Sequence, residues 1–337
     1  MKNKKYILTF LLLIIIILLT YFKLFNKKSI QLIILNINRL SIYTILICIL
    51  FIIIYFLLHS IYMKTILNSL RVKVPFAKCI YYCLIEFYFS GITPSSTGGQ
   101  PVQIYQMTKD KIPIRKSYIT LMLNTIYFKL IILILGIISF FYTKNYLISN
   151  KLYLFFFILG IIVDLILVIG LILLIFKQSI IKKILKIIIN KLNNIRLFNN
   201  KFKNFNINEF LKKYKDELNY IKKNKKIIII NFFITLVQRI LLFSIAYILY
   251  ISLDFNKYSY IDLLMIQISV QVSIEALPLP GGSGLSENMF KDMFASLFGL
   301  KLCDIAMIFT RAFSFYIPLA ISGIVILFTK IFTAKKH

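Results

Sequence analysis

Long apolar runs alternate with short basic gaps along this chain, and the runs have the length of membrane spans. Residues 6–22, 40–62, 118–142, 152–176, 227–253 and 302–328 are almost free of charge. Each approaches or exceeds the roughly 20 helical residues that cross about 30 Å of hydrocarbon. Two further apolar segments, 79–89 and 261–277, are too short to cross alone. Each runs straight into a break rich in Gly, Pro, Ser and Thr: 90-SGITPSSTGGQPVQIYQM-107 and 277-LPLPGGSGLSENMF-290. The pattern predicts an all-α polytopic membrane protein with about six full spans plus two re-entrant helical hairpins. A transmembrane barrel would instead alternate polar and apolar positions in short segments.

Charge fixes the expected orientation. The net charge of +29 sits in the gaps between apolar runs, as topology signals do, so no nucleic-acid partner is expected. Residues 177–226 carry 15 Lys/Arg against 3 acids, which makes this linker cytoplasmic, together with 109-KDKIPIRK-116 and the C-terminal tail. The gap at 254–260 carries one Lys and one Asp and fits the outside; only Lys27 and Lys28 violate the count. No Ala precedes Ala77, so the first run lacks a small-residue cleavage site and reads as a retained span rather than a signal peptide. Both termini are then cytoplasmic.

With sides assigned, residues 79–108 enter and leave on the cytoplasmic face, while 261–299 dip in from the other. The expected organisation is 1–39, an N-terminal span and connection; 40–176, a first membrane repeat with a re-entrant loop at 90–101; 177–226, the basic linker; and 227–337, an inverted second repeat with a re-entrant loop at 278–284. Interrupted segments at matching positions of inverted repeats point to a site near the midplane. Within the linker, 180-IIKKILKIIINKLNNI-195 puts its apolar positions on one face and lysines opposite, as an interfacial amphipathic helix does.

Helix-breaking sequence at membrane depth frees backbone N–H groups that need partners. Gly98 and Gly99 in the first loop, and Gly281, Gly282 and Gly284 in the second, allow those groups to converge on an anion at a helix start. Ser95, Ser96, Thr97 and Ser283 add hydroxyl donors, and Gln100 and Gln103 follow on the helix. Pro94, Pro101, Pro278 and Pro280 fix the turns. Within the spans, Arg239 and Arg311 offer forked donors for a phosphate. Glu86, Glu275 and Glu287 are candidates to pair with those arginines, to carry a proton or to hold an amine. The intramembrane Asp164 and Lys129 suggest snorkelling or a mutual pair. His59 and His337 are far apart, and no catalytic triad, metal-ligand spacing or nucleotide loop stands out. No catalytic residue, metal or cofactor is expected, and the four cysteines read as packing residues.

The paired loops ITPSSTGGQPVQIYQM and LPLPGGSGLSE resemble the signatures of the flippase-like transmembrane domain of the lysylphosphatidylglycerol synthase (multiple peptide resistance factor) family. The likeness extends to the order and spacing of the spans. It implies a lipid translocator in a bacterial cell membrane, moving phosphatidylglycerol, its lysyl derivative or a polyprenyl phosphate, in a family tied to cationic-peptide and antibiotic resistance. Family members with a soluble synthase domain also transfer lysine from lysyl-tRNA to phosphatidylglycerol. That domain is not expected before His337, so phosphatidylglycerol lysyltransferase activity, alone or with a separately encoded synthase, stands as one alternative. A secondary transporter of a small anion is another.

Overall fold

The computed structural model describes residues 40–93, 96–177, 179–183, 186–187, 206–275 and 285–334. The expected first span at 6–22, most of the 180–195 amphipathic segment, and the second Gly/Pro loop lie outside these residues. All regular structure among them is helical. Among the described residues, five helical stretches are long and apolar enough to cross a membrane: Ile42–Ser69, Ile114–Ser149, Lys151–Ile175, Lys225–Ser252 and Leu302–Thr329.

The chain runs α1 (Ile42–Ser69), α2 (Phe76–Ile92), α3 (Gly99–Lys109), α4 (Ile114–Ser149), α5 (Lys151–Phe176), α6 (Ile207–Lys223), α7 (Lys225–Phe243), α8 (Ile245–Ser252), α9 (Tyr260–Glu275), α10 (Leu285–Arg311) and α11 (Ile317–Ala334). Local chemistry sets several ends. Ser41 caps α1 by accepting from the Tyr43 N–H, and Asn150 starts α5 by accepting from Leu152 and Tyr153. Ser244 separates α7 from α8; its hydroxyl donates to the Ile240 carbonyl and bonds the Tyr260 hydroxyl at 2.7 Å. The last span is not a regular helix. Pro318 has no N–H and its ring crowds the carbonyl four residues back. The backbone opens into one π turn, Ala312–Tyr316, immediately before it. Within α10, Gly299 takes φ 70°, a left-handed value open to glycine, and kinks the helix there.

The helices sort by which faces they bury. α5 shows apolar side chains all round, with Phe155, Ile162 and Ile166 fully outward, as a lipid-facing helix does. α6 is the opposite case. Leu211, Tyr214, Leu218 and Ile221 are buried at a three-to-four-residue spacing while its lysines face out. It is clamped to the start of α4 by a forked ion pair from Arg115 to Glu217, at 2.7 and 2.8 Å.

α2 has 17 residues and α9 has 16, so at about 1.5 Å per residue neither reaches 30 Å. The helix that follows each in the chain packs on it, α3 on α2 and α10 on α9. The packing between the halves is reciprocal. α1 lies against α7, α2 lies against α11, and α9 lies against α4 and α5. The short helix of each half therefore packs on a long helix of the other. Close approach is enabled by small residues. A Cβ on Gly160 of α5 would sit 2.0 Å from the Val272 carbonyl oxygen of α9, and one on Gly323 of α11 would sit 2.8 Å from the Tyr88 ring of α2.

Candidate functional site

The first loop is built by its own sequence. Thr93 is extended, with φ −105° and ψ 147°, as a residue before proline must be. Its hydroxyl donates to the Phe89 carbonyl at 2.6 Å and accepts the Gly98 N–H at 2.9 Å. Ser96 takes φ 54°, and α3 then begins at Gly99. Pro101, third in α3, needs no intrahelical N–H partner. A Cβ on Gly99 would meet the Ser90 Oγ at 2.1 Å and the Glu86 carbonyl oxygen at 2.5 Å. The glycine pair thus lets the start of α3 lie directly on the last turns of α2, and the Gly98 N–H serves the hairpin itself.

Beyond the loop, the Gln100 amide donates to Thr125 of α4. Gln103 is completely buried, and neither end of its amide has a partner among the described residues. Pro94 and Ser95 of this loop, and Pro278, Pro280, Gly281, Gly282, Ser283 and Gly284 of the second, fall outside the described residues. Glu287 belongs to α10, and its side chain is likewise outside them.

The intramembrane charges come together. Lys129 of α4 bonds Asp164 of α5 at 2.8 Å and also pairs with Glu275 of α9. Gln271, one turn back, donates to the other Glu275 oxygen at 3.0 Å. Asp164 is fully buried, and its second oxygen has no partner among the described residues. Arg239 of α7 lies over the Phe128 ring at 3.9 Å and reaches the Tyr55 hydroxyl at 3.5 Å. Glu86 of α2 lies 3.7 Å from the buried His59 of α1 and within the electrostatic reach of Arg239. Arg311 stacks on Phe315 and Tyr316, at 5.0 and 5.6 Å.

Glu275 is therefore held by Lys129, not by either arginine. The sequence offered only snorkelling or a mutual pair for Lys129 and Asp164, and His59 entered only as a histidine distant from His337. The available signal was their position inside apolar runs, where each charge costs at least roughly 2.5 kcal/mol on insertion scales.

Around these charges runs a seam of incomplete hydrogen bonding. On the facing helices α1 and α7, His59 Nε2, the Tyr62 hydroxyl, Asn231 Nδ2 and Arg239 Nε are all buried without a partner among the described residues. A buried polar group left unmet costs roughly 1–3 kcal/mol. Several together in one interior are a strong demand for a polar occupant.

A second polar feature lies at the end of α1 nearest α6. A cleft of about 750 Å³ is lined by Lys64, Asn68, Arg71, Lys73, Val74 and Pro75. Lys64 lies over the Phe76 ring, and Arg71 over the Tyr220 ring of α6. Among the described residues no carboxylate pairs with these three cations. Nearby, Asp110 at the end of α3 accepts from Lys78 at 2.8 Å and from the Tyr82 hydroxyl at 2.7 Å. Partial burial pushes its carboxyl up, but the bonds from Lys78, Tyr82 and Gln106 outweigh it and hold it below the usual aspartate range. Among the described residues no group of three or more His, Cys, Asp or Glu stands together as a metal site would require.

A family model described as the lysylphosphatidylglycerol synthase TM region matches residues 6–322. A comparison with curated proteins returns no match.

Proposed function

We propose, from the premise that this chain belongs to the lysylphosphatidylglycerol synthase TM-region family, that it is a lipid translocator. Its cargo in this reading is an anionic or lysyl-modified phospholipid, or a lipid-linked phosphate, moved between leaflets of a bacterial cell membrane. The observation that carries the reading is the buried seam of unmet polar groups and charges between the two halves. It offers cations to a phosphate and carboxylates to an amine, at a depth where side chains alone leave hydrogen bonds unmade.

Two features support it further. The reciprocal packing of each short helix on the other half fits an inverted pair of repeats, whose shared interface is where such folds hold substrate. The acid-free cleft at Lys64, Arg71 and Lys73 is a natural first contact for a phosphate on the side of the basic linker, which in this reading is cytoplasmic. The lysyl-modified cargo follows from the family, whose name joins the membrane region to a synthase; a separately encoded synthase is then its supplier.

The test is a leaflet assay in vesicles holding only the purified chain. Labelled phosphatidylglycerol, lysylphosphatidylglycerol and a short polyprenyl phosphate are followed by their accessibility to an outside quencher. Faster exchange of one of them supports the reading and names the cargo. Exchange no faster than in empty vesicles for all three counts against it.

A further inference from the structure

Within one cluster the buried charges do not balance: the single Lys129 ammonium faces two carboxylates, Asp164 and Glu275. An isolated carboxylate charge at this depth is far more costly than a proton taken from water. Glu86 has His59 beside it and Arg239 in electrostatic reach, and Arg239 in turn donates to the Tyr55 hydroxyl of α1. Asp164 and Glu275 have one lysine between them. Among the described residues one buried oxygen of Asp164 has nothing to accept from, and a proton shared between the two carboxyls relieves it of its charge.

A polar column leads to this triad from the far end of the bundle, away from α6. There, a recess of about 70 Å³ is bordered by Thr143, Tyr146, Tyr258 and Asp262. From its floor the Thr143 hydroxyl bonds the Ser269 hydroxyl at 2.8 Å, and Ser269 donates to the Ser139 hydroxyl at 3.0 Å. One turn further along α9 stands Ser273, then Glu275. Ser139, Ser269 and Ser273 are completely buried and Thr143 almost so. Ser139, Thr143 and Ser273 donate to the carbonyls of Gly136, Ser139 and Ser269 on their own helices, which leaves their oxygens as acceptors along the column. The Ser273 hydroxyl reaches back to the Ser269 carbonyl at 2.8 Å, and the rise between the two residues is about 6 Å.

We propose that Lys129, Asp164 and Glu275 form a proton-binding site. It holds one exchangeable proton on a carboxylate oxygen, and it is filled from the end opposite α6 through Thr143, Ser269, Ser139 and Ser273. Proton binding weakens the hold of Lys129 on one carboxylate. Because Lys129 and Asp164 sit on α4 and α5 while Glu275 sits on α9, it also weakens the tie between the halves. The use of that proton to drive exchange rests on the translocator reading, but its binding does not.

The experiment is infrared spectroscopy of the full-length chain in lipid bilayers, titrated with acid in the absence of added cargo. The expected result is a protonated-carboxyl C=O band that grows in as one proton per chain while circular dichroism stays constant. Asp164→Asn or Glu275→Gln should remove it, and Glu86→Gln should leave it. Uniform ¹³C labelling of aspartate or of glutamate assigns the band to one residue type in the unaltered chain, and the variants then assign the position. Ser139→Ala combined with Thr143→Val should slow deuterium exchange of the band several-fold at unchanged titration. Absence of any such band before the helices melt would overturn the site, as would its loss in Glu86→Gln alone. Unchanged exchange in the hydroxyl variant would overturn the route.

Discussion

Lys129 and Asp164 form a 2.8 Å ion pair between α4 and α5, and the same ammonium is shared with Glu275 of α9. One side chain therefore ties three helices and both halves of the chain. Lys129→Met would leave two carboxylates facing each other out of water. Removing one partner from a buried pair costs about 3–5 kcal/mol, so the variant should unfold at markedly lower denaturant in detergent titrations. Adding Asp164→Leu and Glu275→Leu should recover much of that loss without recovering exchange of lipid.

Gly160 tests the crossing of α5 over α9. A side chain there would collide with the Val272 backbone oxygen, whereas Gly170, ten residues along the same helix, has nothing within 4 Å. Gly160→Leu should destabilise by at least the 1–3 kcal/mol typical of overpacking. Gly170→Leu should leave the thermal midpoint near that of the parent. Equal effects would mean that the tight crossing contributes nothing.

The clamp from Arg115 to Glu217 is forked and largely withdrawn from water, with side-chain exposures of 17% and 15%. Lysine keeps the charge but not the fork. Arg115→Lys should therefore free α6 from the start of α4, seen as faster proteolysis within 207–223 while the membrane helices stay protected. Arg115→Ala should cost about 1.5–3 kcal/mol, the range for a charged hydrogen bond.

Acid should loosen the end of the first hairpin. Bonds from Lys78, Tyr82 and Gln106 keep the Asp110 carboxyl titrating below its unfolded value, which is about 3.9. Its contribution is thus fully present above that pH and fades as pH falls through the lower, folded value. Labelling of the buried Cys79 by a water-soluble thiol reagent, sampled after acid pulses, should rise over that window. In Asp110→Asn the labelling should be raised already at neutral pH and lose its acid dependence.

Much of the helical frame was legible as hydrophobic run length. Residues 40–62, 118–142, 152–176, 227–253 and 302–328 each fall on a long apolar helix, with ends differing by up to seven residues where polar turns extend a helix past the apolar run. Run length was silent on breaks within a helix. The gap at Ser244 depends on a tertiary bond to Tyr260, and the π turn depends on Pro318, which a hydropathy profile averages away. The linker charge pointed to 180–195 and left unremarked the stronger amphipathic pattern of Leu211, Tyr214, Leu218 and Ile221.

The candidate site was legible in part. The helix break at 93–99 follows from Pro94 and the glycines. That Gly98 and Gly99 accommodate Thr93, Ser90 and the Glu86 carbonyl could not be read, because it depends on how α3 lies on α2. Partners of intramembrane charges are also set by tertiary contact. Lys129 and Glu275 are 146 residues apart, and no local spacing relates them.

The most direct test of the central claim, that a lipid phosphate crosses along the buried polar seam, compares the parent chain with Arg239→Gln in the vesicle leaflet assay. Glutamine keeps a hydrogen-bonding side chain beside Phe128 and Tyr55 but removes the charge. The account predicts at least a tenfold slower exchange of the anionic lipid, with circular dichroism and membrane insertion unchanged. Exchange at the parent rate by a well-folded Arg239→Gln would contradict it.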